Sequence, residues 1–307
     1  MSMLVGYTGF VGSNICRAHA FEYLINSKNI EDAYGVKPDT LIYSGVPSAM
    51  FLANNYPDKD KAVIDNAKRN IELICPGRVV LISTVAVYDN TQDVDEEHVP
   101  DINALLPYGA HRLDLENWVE QHFEDHLIVR LPALFGEGLK KNFIYDYINF
   151  IPALLTEEKY HELSAVDKLI ECSYFRNDNG FLKCKEMTED DRRKLKTAFE
   201  KTGFSALNFT DSRSVYQFFG LNNLYHLIEK CLSDGIRKIN LVTPPVNVSE
   251  LYRYLSGKTF ENITDKKPFA YDIRTKYYHD GYIMSKEEEL VQIKNFVSSQ
   301  IPGGKES

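Results

Sequence analysis

No stretch of the 307-residue chain approaches the roughly 18 uninterrupted apolar residues that a membrane-spanning helix needs. The best candidate, residues 143–155, is broken by Asp146, Asn149 and Pro152. The chain begins MSMLVGYTGF, without a basic leader followed by a long apolar segment, so a cytoplasmic protein is expected. Long basic runs are also missing, and 35 Lys+Arg stand against 44 Asp+Glu for a formal charge of −9. Neither nucleic acid nor a membrane surface is an expected partner for such a chain. Its five cysteines, Cys16, Cys75, Cys172, Cys184 and Cys231, are odd in number, spread out and never in a CxxC pair. That pattern suggests neither a disulfide framework nor a metal site. There is no repeat and no low-complexity segment. What remains is ordinary globular composition, 44% hydrophobic, enough for one large domain or two small ones.

Residues 1–140 alternate short apolar runs (MLVG, EYLIN, DTLIYSG, RVVLIST, HLIVRLP) with helical patterns. Parallel strands need crossovers, so this alternation predicts an α/β fold, a doubly wound parallel Rossmann sheet with helices on both faces. Helices are expected over residues 13–20, 65–74 and 115–123. Residues 141–210 change character, with long helical patterns rich in Lys and Glu and one weak apolar run near 172–182. They read as a mostly helical insertion over the carboxyl ends of the strands, where open α/β sheets bind ligands, or as a partner surface. Residues 211–307 return to the core pattern, with a strand and helix over 214–231, a strand at 238–242, a short helix at 246–255 capped by Ser249, and a C-terminal helix at 285–299.

The strongest local signal is Gly6-Tyr7-Thr8-Gly9-Phe10-Val11-Gly12, with glycines three apart between a strand and a helix. Without Cβ atoms the first two permit a tight turn and close approach of backbone to a pyrophosphate, and the third lets helix and strand pack closely. The helix N–H groups then meet the negative charge. A glycine triplet alone is weak evidence; its place after the first strand of an alternating pattern is what points to a dinucleotide.

The GYTGFVGS spacing, the run Leu81-Ile82-Ser83-Thr84-Val85-Ala86-Val87-Tyr88 and the stretch Pro107-Tyr108-Gly109-Ala110-His111-Arg112 occur in the order found in extended short-chain dehydrogenase/reductases. The chain resembles the NAD-dependent epimerase/dehydratase group of that family, well over residues 1–138 and again over 211–232, but not between. The resemblance implies an oxidoreductase or epimerase that acts on a nucleotide-activated sugar by hydride transfer. Tyr108 would be the acid/base, Thr84 its hydroxyl partner, and Arg112 the occupant of the position usually filled by Lys, where it would orient the ribose and tune Tyr108. A phenol with an ordinary pKa of about 10 moves protons near neutrality only if a neighbouring cation favours its phenolate. An Arg fork is not equivalent to a Lys ammonium at such a site, so Arg112 is a departure. His111, next in sequence, reads as a surface residue.

The same resemblance places the cofactor against Gly6, Thr8, Gly9, Phe10, Val11 and Gly12, Ser27 and Lys28 after the second strand, Ser44 and Gly45 after the third, and Pro132. A hydroxyl and a cation at Ser27-Lys28 suit the 2′-phosphate of NADP(H); Glu31 and Asp32 just beyond would favour NAD(H). Arg130-Leu131-Pro132 ends a strand on the catalytic side. Asn142 and Arg213 fall where the family holds the substrate diphosphate, and bidentate guanidinium contacts suit phosphate. Val85 after Thr84 lacks the carboxylic acid that a dehydratase carries there, which leaves reduction or epimerisation. A homodimer through the faces carrying 65–74 and 115–123 is implied by the family alone. The rival reading is a dinucleotide-binding sensor or scaffold with an altered active site, since fold does not fix function.

Overall fold

The computed structural model describes residues 1–177 and 180–301. The central element is a six-stranded sheet containing β1 (Ser2–Val5), β2 (Tyr23–Ile25), β3 (Thr40–Tyr43), β4 (Arg78–Thr84) and the later strands His126–Leu131 and Lys238–Asn240. Their spatial order is Lys238–Asn240, His126–Leu131, β4, β3, β1, β2, and every pairing is parallel. This is the expected doubly wound α/β sheet. Its order reverses between β1 and β3, so the loops leaving those two strands flank the crevice where ligands bind in such sheets.

Alternation along the strands explains the layering, because successive side chains point to opposite faces. Met3, Val5, Leu41, Tyr43, Val79, Leu81 and Ile128 share one core with Ile64, Ala67, Ile71 and Ile74 of α3 (Pro57–Ile74) and with Leu115 and Val119 of α4 (Pro107–His122). Leu4, Ile42, Val80, Leu127 and Val129 face the other way, onto Ile15 of α1 (Phe10–Ala18) and onto Leu224, Ile228 and Cys231 of the helix Leu224–Ser233. A short helix, α2 (Met50–Asn55), lies between β3 and α3.

Three helices start earlier than their apolar periodicity suggests, α3 among them at Pro57 rather than residue 65. The α1 helix begins at Phe10 rather than residue 13, directly after Gly9. The α4 helix begins at Pro107 rather than residue 115. Proline is preorganised for the first helical position, where its missing N–H costs nothing. The first two turns of α4 were hidden because their buried face carries Tyr108 and Arg112, which no apolar count detects.

The chain divides into two compact units. One comprises Met1–Leu139, Val215–Val246 and Ala270–Ile293 and holds the sheet; the other comprises Lys140–Ser214, Asn247–Phe269 and the chain from Lys294. Within the second unit α5 (Phe143–Asn149), α6 (Glu157–Ser164), α7 (Lys168–Ser173) and α8 (Glu189–Thr202) are joined by a small antiparallel sheet. That sheet contains Tyr174–Arg176 and Leu182–Cys184, so the weak apolar run near 172–182 is two strands. The helix Val248–Ser256 is capped by Asn247, whose Oδ1 accepts from the Ser249 and Glu250 N–H groups. Ser249, the expected cap, sits two residues past it, as the second residue of the helix, and donates to Ser212 and Phe260 carbonyls instead. Among the described residues no helix is long and apolar enough to cross a membrane.

Candidate active site

The turn between β1 and α1 is closed by backbone. Gly6 N–H donates to Ile25 O at 2.8 Å and Gly9 N–H to Gly6 O at 2.9 Å. Gly6 has φ +91°, and a Cβ there would stand 2.5 Å from Ser44 O; a Cβ on Gly12 would stand 2.2 Å from Gly6 O. Only glycine lets the end of β1, the start of α1 and the loop after β3 meet in this way. Gly9 caps α1 without any side-chain bond, and no acidic residue lies in the first turn. An uncapped helix N-terminus at the sheet's switch point, with Thr8 and Gly9 exposed and Phe10 and Val11 half-buried, fits a pyrophosphate.

Other expected cofactor residues lie at the same, carboxyl, edge of the parallel sheet. Ser44 follows β3 and donates from Oγ to Val5 O at 3.0 Å, and Gly45 beside it is exposed. Pro132 is half-buried directly after the strand His126–Leu131. Ser27 and Lys28 are exposed in the turn after β2, which is held by Lys28 N–H on Asn26 Oδ1 at 2.8 Å.

Thr84 is the last residue of β4, and its Oγ1 accepts from Ala86 N–H at 3.2 Å, capping a short 3-10 turn over Val85–Val87. Tyr108 is the second residue of α4. A Cβ on Gly109 would come within 2.2 Å of Ala86 O, so glycine there is what lets the helix press against the Thr84 turn. Asn54 of α2 accepts from the Tyr108 N–H at 2.9 Å and satisfies one open donor of the helix start. The Tyr108 side chain is buried, and burial pushes its phenol above the usual value; the Arg112 charge and a hydrogen bond with Thr84 pull it down, while Asp60 adds to the rise.

Arg112, one helical turn beyond Tyr108, stacks its guanidinium on the Tyr108 ring at 3.9 Å. Its Nη1 donates to Asp60 of α3 and to Tyr108 O at 3.2 Å, and its Nη2 donates to Pro47 O at 2.9 Å. His111 is part of the same cluster and not a free surface residue: its Nδ1 lies 2.8 Å from Asp60 Oδ2. Burial works against the Asp60 charge, but the bonds from Arg112 and His111 outweigh it and hold the carboxyl below its ordinary value.

The next step along the same helical stripe is Glu116, fully buried with Arg130. Arg130 Nη2 meets Glu116 Oε2 at 2.6 Å, Nη1 donates to Tyr88 Oη at 2.7 Å, and Ser83 Oγ donates to Glu116. Burial disfavours the Arg130 charge, yet Glu116 and Tyr88 hold it well above its ordinary value. The strand carrying Arg130-Leu131-Pro132 ends at the carboxyl edge as expected, and the Arg130 side chain is buried in the core as half of an ion pair. Burial pushes the Tyr88 phenol up to about 12.

Asn142 and Arg213 belong to the second unit. Asn142 caps α5, accepting from Tyr145 N–H at 3.1 Å. Arg213 is half-exposed and forks onto Asp211, Nε to Oδ1 at 2.9 Å and Nη2 to Oδ2 at 2.7 Å. That bond, together with Thr264, holds the Asp211 carboxyl far below its usual range. Sequence reasoning missed Asn54, Asp60 and Glu116. Only Glu116 left a trace, four residues after Arg112 on the stripe that starts at Tyr108.

A parallel sheet with its glycine turn at the switch point, and a Thr and Tyr brought together at the carboxyl end of β4, define a chain of the extended short-chain dehydrogenase/reductase type. More specifically, residues 3–167 match the family described as the RmlD substrate binding domain, and the chain belongs to that family. No curated protein matches the sequence. Solved structures are similar over nearly the whole chain. RMD from Pseudomonas aeruginosa complexed with NADPH is 16% identical, with TM-score 0.61 over 98% of this chain and 99% of that one. The dTDP-4-dehydrorhamnose reductase of Bacillus anthracis in complex with NADP is 15% identical, with TM-score 0.62 over 97% of each. The UDP-N-acetylglucosamine 4-epimerase of Methanobrevibacter ruminantium is 13% identical, with TM-score 0.62 over 97% of this chain and 96% of that one. At these identities the likeness is one of fold.

Proposed function

We propose that this chain is an NAD(P)-dependent reductase or epimerase of a nucleotide-activated sugar, with Tyr108 as its acid/base. The observation that carries this reading is the convergence of Thr84 and Tyr108, packed through Gly109, on the same sheet edge as a glycine turn that fits a pyrophosphate. The amino end of α1, with Gly6, Thr8, Gly9, Phe10, Val11 and Gly12, would hold the dinucleotide, and Ser27 with Lys28 would favour NADP(H) by pairing with a 2′-phosphate. When bound, the nicotinamide supplies or accepts the hydride.

In this scheme Tyr108 gives its phenolic proton to the sugar oxygen in reduction and takes one in oxidation, and Thr84 bonds the same oxygen. Arg112 favours the phenolate that remains, offsetting the burial that otherwise keeps the proton on Tyr108. Asn142 and Arg213 are the proposed substrate contacts, Arg213 with the guanidinium edge not taken by Asp211. The similar proteins named above, one complexed with NADPH, one a dTDP-4-dehydrorhamnose reductase in complex with NADP and one a UDP-N-acetylglucosamine 4-epimerase, support this substrate class.

One observation favours a second reading, a dinucleotide-binding scaffold: both Arg112 Nη atoms donate inside the protein. Titration with NADPH and NADH by cofactor fluorescence, with Gly9→Asp as control, tests both. An Asp at Gly9 would itself cap α1, keeping the fold while repelling a pyrophosphate. Tight binding lost in the control, followed by sugar-nucleotide turnover that Tyr108→Phe abolishes, is expected for the enzyme. Binding without turnover on any sugar nucleotide would favour the scaffold, and no binding of either cofactor would overturn both readings.

A further inference from the structure

The cation beside Tyr108 is held from another helix. Asp60 lies in the first turn of α3, with 9% of its side chain exposed, and takes both Arg112 Nη1 and His111 Nδ1 on one carboxylate oxygen, Oδ2. Arg112, 5% exposed, completes its bonding on Tyr108 O and Pro47 O and lies over the Tyr108 ring at 3.9 Å. A planar guanidinium can stack by its face while donating in plane from its edge; an ammonium cannot do both. No other charged side chain takes part in the described bonds of this cluster: Lys61, beside Asp60, is bound to Asp65 and Asp114, and the neighbours Thr84 and Asn54 are uncharged.

We propose that Asp60 is a positioning residue for Tyr108, acting through Arg112, so that α3 fixes the cation over the phenol whether or not a cofactor is present. The proposal rests on the reading of Tyr108 as the acid/base. Asp60 has two opposed effects on that phenol. Its bond holds the guanidinium over the ring, which favours phenolate, while its own negative charge disfavours phenolate. Substitutions that separate the two effects should therefore move Tyr108 in opposite directions. Asp60→Asn keeps an acceptor for Arg112 and removes the charge; Asp60→Ala removes both and leaves Arg112 only its bonds to Tyr108 O and Pro47 O, so that it is held less firmly over the ring.

The test is a pH titration of the full chain labelled with [13Cζ]tyrosine, followed by NMR, with the Tyr108 signal identified by its loss in Tyr108→Phe. Thermal unfolding verifies that each variant is folded, and Asp60→Ser replaces the Ala variant if that does not fold. The expected result is a Tyr108 midpoint lowered by about half a unit or more in Asp60→Asn and raised by a similar amount in Asp60→Ala. Shifts in the same direction, or no shift in either, would overturn the proposal, because a merely structural Asp60 would not split the two variants. NADPH titration of the same samples keeps the two questions apart. Opposite shifts without cofactor binding would sink the hydride-transfer reading and leave the positioning role standing, whereas cofactor binding without opposite shifts would do the reverse.

Discussion

Arg130 and Glu116 form a buried ion pair, 2.6 Å between Nη2 and Oε2, with the arginine 1% and the glutamate 0% exposed. Neither charge has water to return to, so removal of one partner leaves the other unpaired inside the core. Glu116→Gln is expected to cost about 3–5 kcal/mol, and Arg130→Met a comparable amount. The double replacement Glu116→Leu with Arg130→Met should lose less than either single change. Urea denaturation of the three variants measures all of this, and equal losses in single and double variants would contradict it.

Gly109→Ala is expected to be damaging out of proportion to one methyl group. Its Cβ would fall 2.2 Å from the Ala86 carbonyl oxygen, and backbone cannot swing aside as a flexible side chain can. A loss of more than about 2 kcal/mol is expected, with displacement of Tyr108 from Thr84. Thermal unfolding reads the first effect, and the pH titration of Tyr108 the second.

Tyr108→Phe and Thr84→Val should separate chemistry from binding. General acid–base catalysis contributes roughly 10²–10⁴-fold, so Tyr108→Phe should lower kcat by at least about 100-fold while the dissociation constant of the cofactor stays within about twofold of wild type. Thr84→Val should lower kcat less, because only one bond to the reacting oxygen is lost; Thr84→Ser should recover most of it. Stopped-flow turnover on a sugar nucleotide, beside cofactor titration, is the measurement.

Asp146 on α5 gives a pH prediction. Burial raises its carboxyl from 3.8 to about 7, so the protonated form is the one the fold favours. Its contribution to stability is present in full below the unfolded pKa of about 3.9 and is lost as pH rises through about 7. Asp146→Asn should therefore match wild type near pH 4 and exceed it at pH 8, by about 2 °C in melting temperature for each ~1 kcal/mol. A constant difference across that range would refute the assignment.

How far the sequence carried the fold depended on whether a residue's partners lay nearby in the chain. The short continuous apolar runs around Leu4, Ile42, Val80 and Val129, alternating with helical patterns, made the parallel sheet readable, and the glycine spacing located the turn after β1. The start of α4 was not readable, since Tyr108, Arg112 and Glu116 are polar residues on a buried face. What buries them is distant in sequence: Asp60 for Arg112 and Arg130 for Glu116. The Arg130–Glu116 pair was unreadable for the same reason, because nothing around a strand end tells whether a guanidinium turns outward to solvent or inward to a carboxylate. Family resemblance supplied Thr84 and Tyr108 as a pair; it could not supply Asp60, which answers a feature this chain has and the family pattern lacks.

The two outermost strands of the parallel sheet, Tyr23–Ile25 and Lys238–Asn240, have three residues each, against seven in β4 and six in His126–Leu131. A sheet edge offers unsatisfied N–H and C=O groups to any passing extended chain, and a short edge offers few of them. Lys238 on one rim, paired with Glu120, adds charge that a neutral incoming strand would have to desolvate. The sheet is therefore poorly suited to end-to-end growth, and a concentrated solution of this chain should resist fibril formation for as long as the sheet stays folded.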